Sequence, residues 1–113
     1  MSYTDEITVI QNDYGYNLQF RLKDASGNAV DLTGADTVKL LIYERNSSTA
    51  KIVGTCTVLD ASSGTFQYTV QEGDFSEAPK TYLVEVEVTW PTKVISATGV
   101  TIRVRPEAPE TTS

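Results

Sequence analysis

The feature that most constrains the fold is a two-residue alternation of apolar and polar side chains along almost the whole chain. Successive side chains of a β-strand point to opposite faces of a sheet, so this period predicts strands with one buried side and one solvent-facing side. The pattern is strongest in TYLVEVEVTW, residues 81–90, where every second residue is large and apolar: Tyr82, Val84, Val86, Val88 and Trp90. No segment shows a convincing helical period.

The alternation predicts seven strands separated by turn-forming residues. They cover residues 6–11, 16–23, 37–45, 51–60, 65–71, 81–90 and 94–104. The third segment also fits a helix, but its shortness, its β-branched and aromatic content and its polar flanks favour a strand. We expect Gly99 to mark a bulge in the last strand, and Phe75 to plug the core from the broken segment between the fifth and sixth strands.

Seven short strands at turn intervals of about ten residues predict an all-β fold, an antiparallel β-sandwich of immunoglobulin-like type. A sandwich buries the inner faces of both sheets. We expect the sixth strand to face the second and third strands across that core, with these contacting residues: Tyr82, Val84, Val86, Val88, Leu18, Phe20, Leu22, Val38 and Leu40. Residues 1–105 are predicted to form a single sandwich domain, and residues 106–113 a flexible C-terminal tail.

Composition narrows the class of protein. The 113 residues fit one ordinary domain, and 40% hydrophobic and 21% charged residues are typical of a globular chain. A net charge of −6 opposes binding to a phosphate backbone, so no nucleic-acid partner is expected. No signal peptide or membrane span is recognisable. A single cysteine allows no intrachain disulfide, which suits synthesis in a reducing cytosol.

Residues that support chemistry are scarce. The absence of histidine removes the usual proton shuttle and the commonest zinc ligand. Cys56 has no histidine partner and is interpreted as a small buried hydrophobe. Glu85 and Glu87 lie about 7 Å apart on one strand face, a spacing compatible with a carboxylate pair, but alternating charge is also what an exposed strand face shows.

A cation site is also not predicted. Asp24, Asn28 and Asp31 fall in one loop without the spacing of a calcium loop, and such residues are more simply turn formers. The sequence therefore predicts no enzyme, no catalytic residue, no cofactor, no metal site and no small-molecule ligand.

Four tyrosines have no settled place in the core: Tyr3, Tyr14, Tyr16 and Tyr43. Exposed aromatic rings can stack on sugars or fill protein interfaces. Tyrosines at a strand entrance, such as Tyr14 and Tyr16, also cover the margin of a core while keeping the hydroxyl in water. These residues leave a carbohydrate-binding or adhesin-like surface domain open as an alternative function.

Residues 16–105 resemble the N-terminal domain of phage upper baseplate proteins, an immunoglobulin-like module of tail appendages. The resemblance is carried by LQFRLKDASGNAVDLTGADTVKLLIYE, GTCTVLDASSGTFQYTV, TYLVEVEVTW and VTIRV. Its most specific element is a short polar hairpin followed by VDLTGA and an apolar strand. The resemblance implies that GNAVDLTGAD, residues 27–36, is architectural, with Leu32 packed inward and Thr33, Gly34 and Asp36 shaping the turn.

The resemblance further implies a bacteriophage virion structural or assembly protein that acts through protein–protein contacts. A tail, baseplate, head–tail or capsid-decoration role is compatible with it, and the expected location is the virion, after synthesis in the host cytoplasm. The expected partners are other phage structural proteins and further copies of this chain. Edge strands can extend a partner's sheet, so the first strand, EITVIQ, or the last strand is predicted to contact a neighbour.

Overall fold

The fold is all-β with two sheets, as the alternation predicts. The computed structural model describes residues 2–108, with side chains from residue 6 onward. Its strands are β1 (Ser2–Ile10), β2 (Asn17–Arg21), β3 (Thr37–Glu44), β4 (Ile52–Thr55), β5 (Thr57–Asp60), β6 (Thr65–Thr69), β7 (Lys80–Thr89) and β8 (Val94–Arg105). Between residues 2 and 108 there is no helix, and hence none long and apolar enough to cross a membrane.

The strands form a five-stranded sheet in the order β1-β8-β7-β3-β4 and a three-stranded sheet in the order β2-β6-β5. All neighbours are antiparallel except β1 and β8, which run parallel from Asp5↔Val100 to Ile10↔Arg105. The described residues thus contain eight strands, and the predicted count of seven is wrong. The predicted strand 51–60 divides at Cys56 into β4 and β5, which belong to different sheets.

One apolar core joins the two sheets. The predicted core residues of β2 and β7 are all buried, and Phe20 stacks on Phe66 within the three-stranded sheet with ring centroids 5.5 Å apart. One predicted relation is wrong: Val38 and Leu40 pair with Val88 and Val86 in the same sheet and do not face them. The reason is that β3 is the hydrogen-bonded neighbour of β7, so their core side chains lie side by side.

Three local predictions are confirmed. Residues 37–44 form a strand, with Leu40 fully buried. Phe75 fills the core from the β6–β7 connection and is 1% exposed. The register of β7 against β8 shifts where Val84 pairs with Val100 and Glu85 with Thr98, which leaves Gly99 as the extra residue of a bulge. Within the predicted tail, residues 106–108 have no regular structure, and residues 109–113 lie outside the described residues.

Candidate interaction surface

The chain changes sheets at Cys56, and this crossing makes β4 and β5 terminal strands of different sheets. The Cys56 N–H donates a hydrogen bond to the Val38 carbonyl at 2.8 Å and so ends the pairing of β4 with β3. From Thr57 onward the chain pairs with β6 instead. We call residues 52–60 the ribbon edge, because β4 is the last strand of the five-stranded sheet and β5 is the last strand of the three-stranded sheet.

Gly54 allows this ribbon to lie close to the core. A Cβ at Gly54 would lie 2.3 Å from Cε1 of Tyr68, a distance that real Cβ atoms essentially never show. The Tyr68 hydroxyl in turn donates a hydrogen bond to Oδ2 of Asp74, which also accepts the Gln71 N–H at 2.9 Å. Burial and the bond to Asp74 raise the pKa of Tyr68. The ring of Tyr68 therefore forms the floor beneath β4.

The ribbon edge presents unpaired backbone groups to its surroundings. In an antiparallel pair, residues bonded to the neighbouring strand alternate with residues whose backbone groups point away. Because Cys56 donates to Val38, the residues of β4 that face β3 are Ile52 and Gly54, and Val53 and Thr55 direct their N–H and C=O groups outward. A shallow groove of about 260 Å³ runs beside them; its lining residues are Val53, Gly54, Thr55, Thr57, Gln67, Tyr68, Thr69 and Gln71.

Along the ribbon edge, Val53, Thr55 and residues 57–59 are exposed and uncharged. Val53 is 62% exposed, Leu59 46% and Val58 37%. No charged residue occurs from Ile52 to Leu59, and the flanking charges are Lys51 and Asp60. Sheet margins are normally protected from pairing by charged side chains, proline or short length. This margin has neither charge nor proline over residues 52–59, which are divided between two strands of four residues each.

The other strand margins differ from the ribbon edge, and one predicted edge is wrong. The last strand, β8, has β1 on one side and β7 on the other, so it has no free margin. β1 is the free margin of the five-stranded sheet opposite β4, as the sequence allows, but it carries Asp5 and Glu6, and Glu6 approaches Arg103 at 4.0 Å. β2, the other free margin of the three-stranded sheet, carries Arg21, whereas residues 52–59 of the ribbon edge carry no charge.

Cys56 does not have the properties of a nucleophile. It is partly covered and packs against the core beside the sheet crossing. Burial raises the pKa of the Cys56 thiol to about 12, partly offset by a backbone hydrogen bond from Leu40. The thiol is therefore almost fully protonated near neutral pH. Because the thiolate is the reactive form of cysteine, Cys56 is a poor nucleophile.

Glu85 and Glu87 lie on the outer face of the five-stranded sheet, as predicted for the wet side of that strand. Glu87 pairs with Lys39 on β3, and Glu85 pairs with Leu41. Glu85 lines an open groove of about 360 Å³ with Leu41, Tyr43, Ser47, Ser48, Thr49 and Ala50. Among the described residues that line this groove, Glu85 is the only carboxylate, so they include no pair of carboxylates.

The loop carboxylates are held by neighbouring donors. Oδ1 of Asp24 accepts the N–H groups of Ser26 and Asn28, each at 2.9 Å. Oδ1 of Asp31 accepts both the N–H and the hydroxyl of Thr33, at 2.9 and 2.6 Å. Within residues 2–108, no group of three or more Asp, Glu, Cys or His side chains is placed to hold a metal ion. Asp24 and Asp31 therefore act in turn geometry, as the sequence predicts.

Residues 27–36 pack onto the end of the sandwich. Leu32 is 2% exposed, and its N–H donates to the Ala61 carbonyl at 2.8 Å. Nε1 of Trp90 donates to the Thr33 carbonyl at 3.1 Å, and Nζ of Lys93 lies 4.7 Å from the centre of the Trp90 ring. The inward packing predicted for Leu32 is confirmed. A shallow groove of about 500 Å³ lies at this end of the sandwich. Trp90 is one of its lining residues, but only 8% of the Trp90 surface is exposed.

The tyrosines do not gather into one aromatic platform among the described side chains. Tyr14 is 55% exposed in the β1–β2 connection, whereas Tyr16 is partly buried against the core. Tyr43 lies on the outer face of the five-stranded sheet, paired with Leu83. The side chain of Tyr3 lies outside the described residues.

Sequence reasoning missed the ribbon edge. The run IVGTCTVL, residues 52–59, contains the signal that could have found it, because it is uncharged, rich in β-branched residues and free of proline. No protein-family model and no curated protein matches this sequence.

Proposed function

We propose that this chain is an immunoglobulin-like module of a bacteriophage particle and serves as a structural or assembly subunit through protein–protein contacts. The observation that carries the proposal is the ribbon edge, a sheet margin with outward backbone groups and exposed apolar side chains. Such margins bind other chains by adding a strand.

The strand order supports the immunoglobulin-like class. In that fold, one sheet contains the second, fifth and fourth strands, and the other sheet contains the third, sixth and seventh. Here β2, β6 and β5 form one sheet, and β3, β7 and β8 are neighbours in the other. β4 corresponds to the additional strand of variable-type domains beside β3. A first strand paired parallel to the last completes the five-stranded sheet.

The phage assignment rests on the resemblance of residues 16–105 to the upper baseplate module. Two segments that carry this resemblance have structural tasks here: residues 27–36 close one end of the sandwich, and residues 81–90 supply its central buried strand. The carboxylates singled out in the sequence lie in turns or on an open sheet face, which agrees with a role in binding rather than in chemistry.

The test is particle incorporation. The chain would be produced with an affinity tag in infected cells, and purified particles would be examined by mass spectrometry. We expect the wild type and a Val94→Lys variant in the particles, and a reduced amount of a Val53→Lys variant, because Val53 lies on the ribbon edge and Val94 does not. Absence of the wild type from particles, or saturable binding to a glycan array, would contradict the proposal.

A further inference from the structure

We propose that β4 and the groove beside it bind an extended segment of a partner protein as an added antiparallel strand, with a cationic side chain of that segment opposite Gly54. This inference rests on the proposed assembly role and specifies the chemistry of the partner. It is carried by the outward backbone groups of β4, by the groove under Gly54 and by a carboxylate at the end of this groove.

The backbone of β4 requires a polypeptide as the occupant. Val53 and Thr55 each direct one N–H and one C=O away from β3. Another extended backbone presents the complementary groups at the spacing of a strand. The facing part of β6 is already engaged, because the Thr69 carbonyl accepts Nε2 of Gln71 at 2.9 Å and the Gln71 N–H donates to Asp74. The added strand therefore pairs with β4 alone and leaves the pairing of β5 with β6 intact.

The direction of the added strand determines which of its side chains enters the groove. Antiparallel pairs are slightly more stable per residue than parallel pairs, so we place the strand in that orientation. Residues directly opposite one another share a face of a sheet. Gly54 is buried on the inner face, so the residue opposite it turns its side chain toward the groove of about 260 Å³. The two flanking residues bond to Val53 and Thr55, and their side chains lie on the outer face beside these residues.

Asp74 selects a cationic side chain for this central position. Its Oδ2 accepts hydrogen bonds from Tyr68 and Gln71, two residues that line the groove. Its Oδ1 accepts no hydrogen bond from a described residue, and no described lysine or arginine forms an ion pair with it. None of the described lining residues of the groove is charged. A guanidinium extended along the groove supplies the missing donors.

The outer face determines the residues on either side of the cation. Val53 is 62% exposed and pairs with Leu41 on β3, so the flanking residue beside it is apolar. The net charge of −6 favours the approach of a basic segment and opposes that of an acidic one. The partner segment is therefore extended, with arginine between two apolar residues.

Fluorescence anisotropy with a labelled peptide, Thr-Val-Arg-Val-Thr, tests the charge. A matched peptide carries citrulline, which has nearly the shape of arginine without its charge. We expect the arginine peptide to bind about tenfold more tightly than the citrulline peptide to the wild type and to Glu85→Gln. The two peptides should bind equally to Asp74→Asn. Glu85→Gln is the matched control, because it removes the same charge from another half-buried carboxylate.

Equal binding of the two peptides to the wild type would overturn the proposal, and this comparison does not depend on any variant. An arginine preference that survives in a folded Asp74→Asn variant, with the fold checked by circular dichroism, would also overturn it.

N-methylated peptides test the pairing. N-methylation of both valines removes the N–H groups that bond to Val53 and Thr55, whereas N-methylation of the arginine removes an N–H that points away from β4. We expect the first change to abolish binding and the second to leave the affinity within about twofold. The reverse order would overturn the antiparallel register, and equal effects would overturn strand addition.

Substitution of Val53 tests the location. Val53→Lys removes an apolar contact and adds a like charge to the strand that receives the arginine, so we expect about fivefold weaker binding of the peptide. Val94→Lys should bind it as the wild type does, and Val94 is a matched control because it is 58% exposed. Equal affinities of the two variants would contradict the proposal. A chain that enters particles but does not bind the peptide refutes strand addition with this chemistry and leaves the proposed function standing.

Discussion

Gly64 and Gly27 have the same left-handed backbone conformation but different surroundings. Comparing them separates the contribution of close packing to stability from that of the backbone conformation. Gly64 has a φ of +71° and lies in the turn between β5 and β6, where an added Cβ would be 2.7 Å from the Val30 carbonyl oxygen and 2.8 Å from that of Leu22. Gly27 has a φ of +85° in the hairpin after β2, and no atom of the described residues lies within 4 Å of an added Cβ. Both positions penalise a side chain through the left-handed backbone alone.

We expect Gly27→Ala to lower the free energy of unfolding by about 1 kcal/mol, the penalty of the left-handed conformation. Gly64→Ala should lower it by about 2 kcal/mol more, because the clash is with backbone carbonyls that cannot rotate away. Urea denaturation of both variants measures the difference. Equal losses would show that the turn moves aside and that the contact with Leu22 and Val30 is not tight.

Two buried tyrosine hydroxyls provide a second comparison of single residues. The Tyr68 hydroxyl donates to Asp74, whereas the buried Tyr82 hydroxyl has no hydrogen-bond partner among the described residues. We expect Tyr68→Phe to destabilise the fold by about 1–2 kcal/mol, because Asp74 loses a donor. Tyr82→Phe should leave stability unchanged or raise it, because burying an unpaired hydroxyl opposes folding. Chemical denaturation of the pair checks the order; a larger loss for Tyr82→Phe would refute this account.

At the level of elements, strand positions follow from the sequence better than strand partners do. Residues 81–90 were predicted to form a half-buried strand. A strand buried on one face needs an apolar side chain at every second residue, and this two-residue period is visible in the sequence. Residues 51–60 keep the same alternation across Cys56, so the period gives no sign that the chain leaves one sheet and joins the other. The pairing of β1 with β8 joins the two ends of the chain, and no local pattern encodes that.

The candidate interaction surface was also only partly predictable from the sequence. The lack of charge in residues 52–59 is visible in the sequence, but its meaning depends on both β4 and β5 being terminal strands. Conversely, the last strand was one of two strands expected to contact a neighbour, and its place between β1 and β7 follows only from the tertiary pairing. Turn residues such as Asp24 and Asp31 were predictable, because their hydrogen bonds are local.

The turns also contribute to the way in which stability responds to acid. The pKa of Asp31 lies below its ordinary value of 3.8 because the Thr33 hydroxyl and N–H bond to its carboxylate. The pKa of Asp60 is lowered likewise, chiefly by the Ser62 and Ser63 hydroxyls. A lowered pKa in the folded state means that these carboxylates contribute stability above about pH 4, which is lost as the pH falls through the folded value.

We therefore expect the melting temperature of the wild type to fall between about pH 5 and about pH 2, and to fall less in an Asp31→Asn, Asp60→Asn double variant. Scanning calorimetry across this range measures the slopes. Asp36→Asn is the control, because the hydrogen bond of Asp36 to Thr89 is made by its backbone N–H. A control that flattens the profile as much as the double variant would assign the acid response to general charge repulsion.

At the scale of the whole molecule, the two sheets share one set of buried side chains. The core extends from Val9 on β1 to Trp90 at the end of β7, and includes Phe20 and Phe66 from the smaller sheet. Neither sheet can lose its partner without exposing its inner face to water, and this exposure opposes partial unfolding. The geometry therefore predicts a single cooperative transition, which would test the expectation of one domain over residues 1–105.

The sequence supplies two site-specific probes of that transition, a single tryptophan and a single cysteine. Trp90 reports the end of the sandwich closed by residues 27–36, and Cys56 reports the crossing between the sheets. We expect Trp90 fluorescence, far-ultraviolet circular dichroism and pulsed thiol labelling of Cys56 to give one urea midpoint. If Cys56 reacts at a lower urea concentration, the ribbon edge opens before the core does. In that case the strands that we propose to bind a partner form a separate, less stable unit of the sandwich.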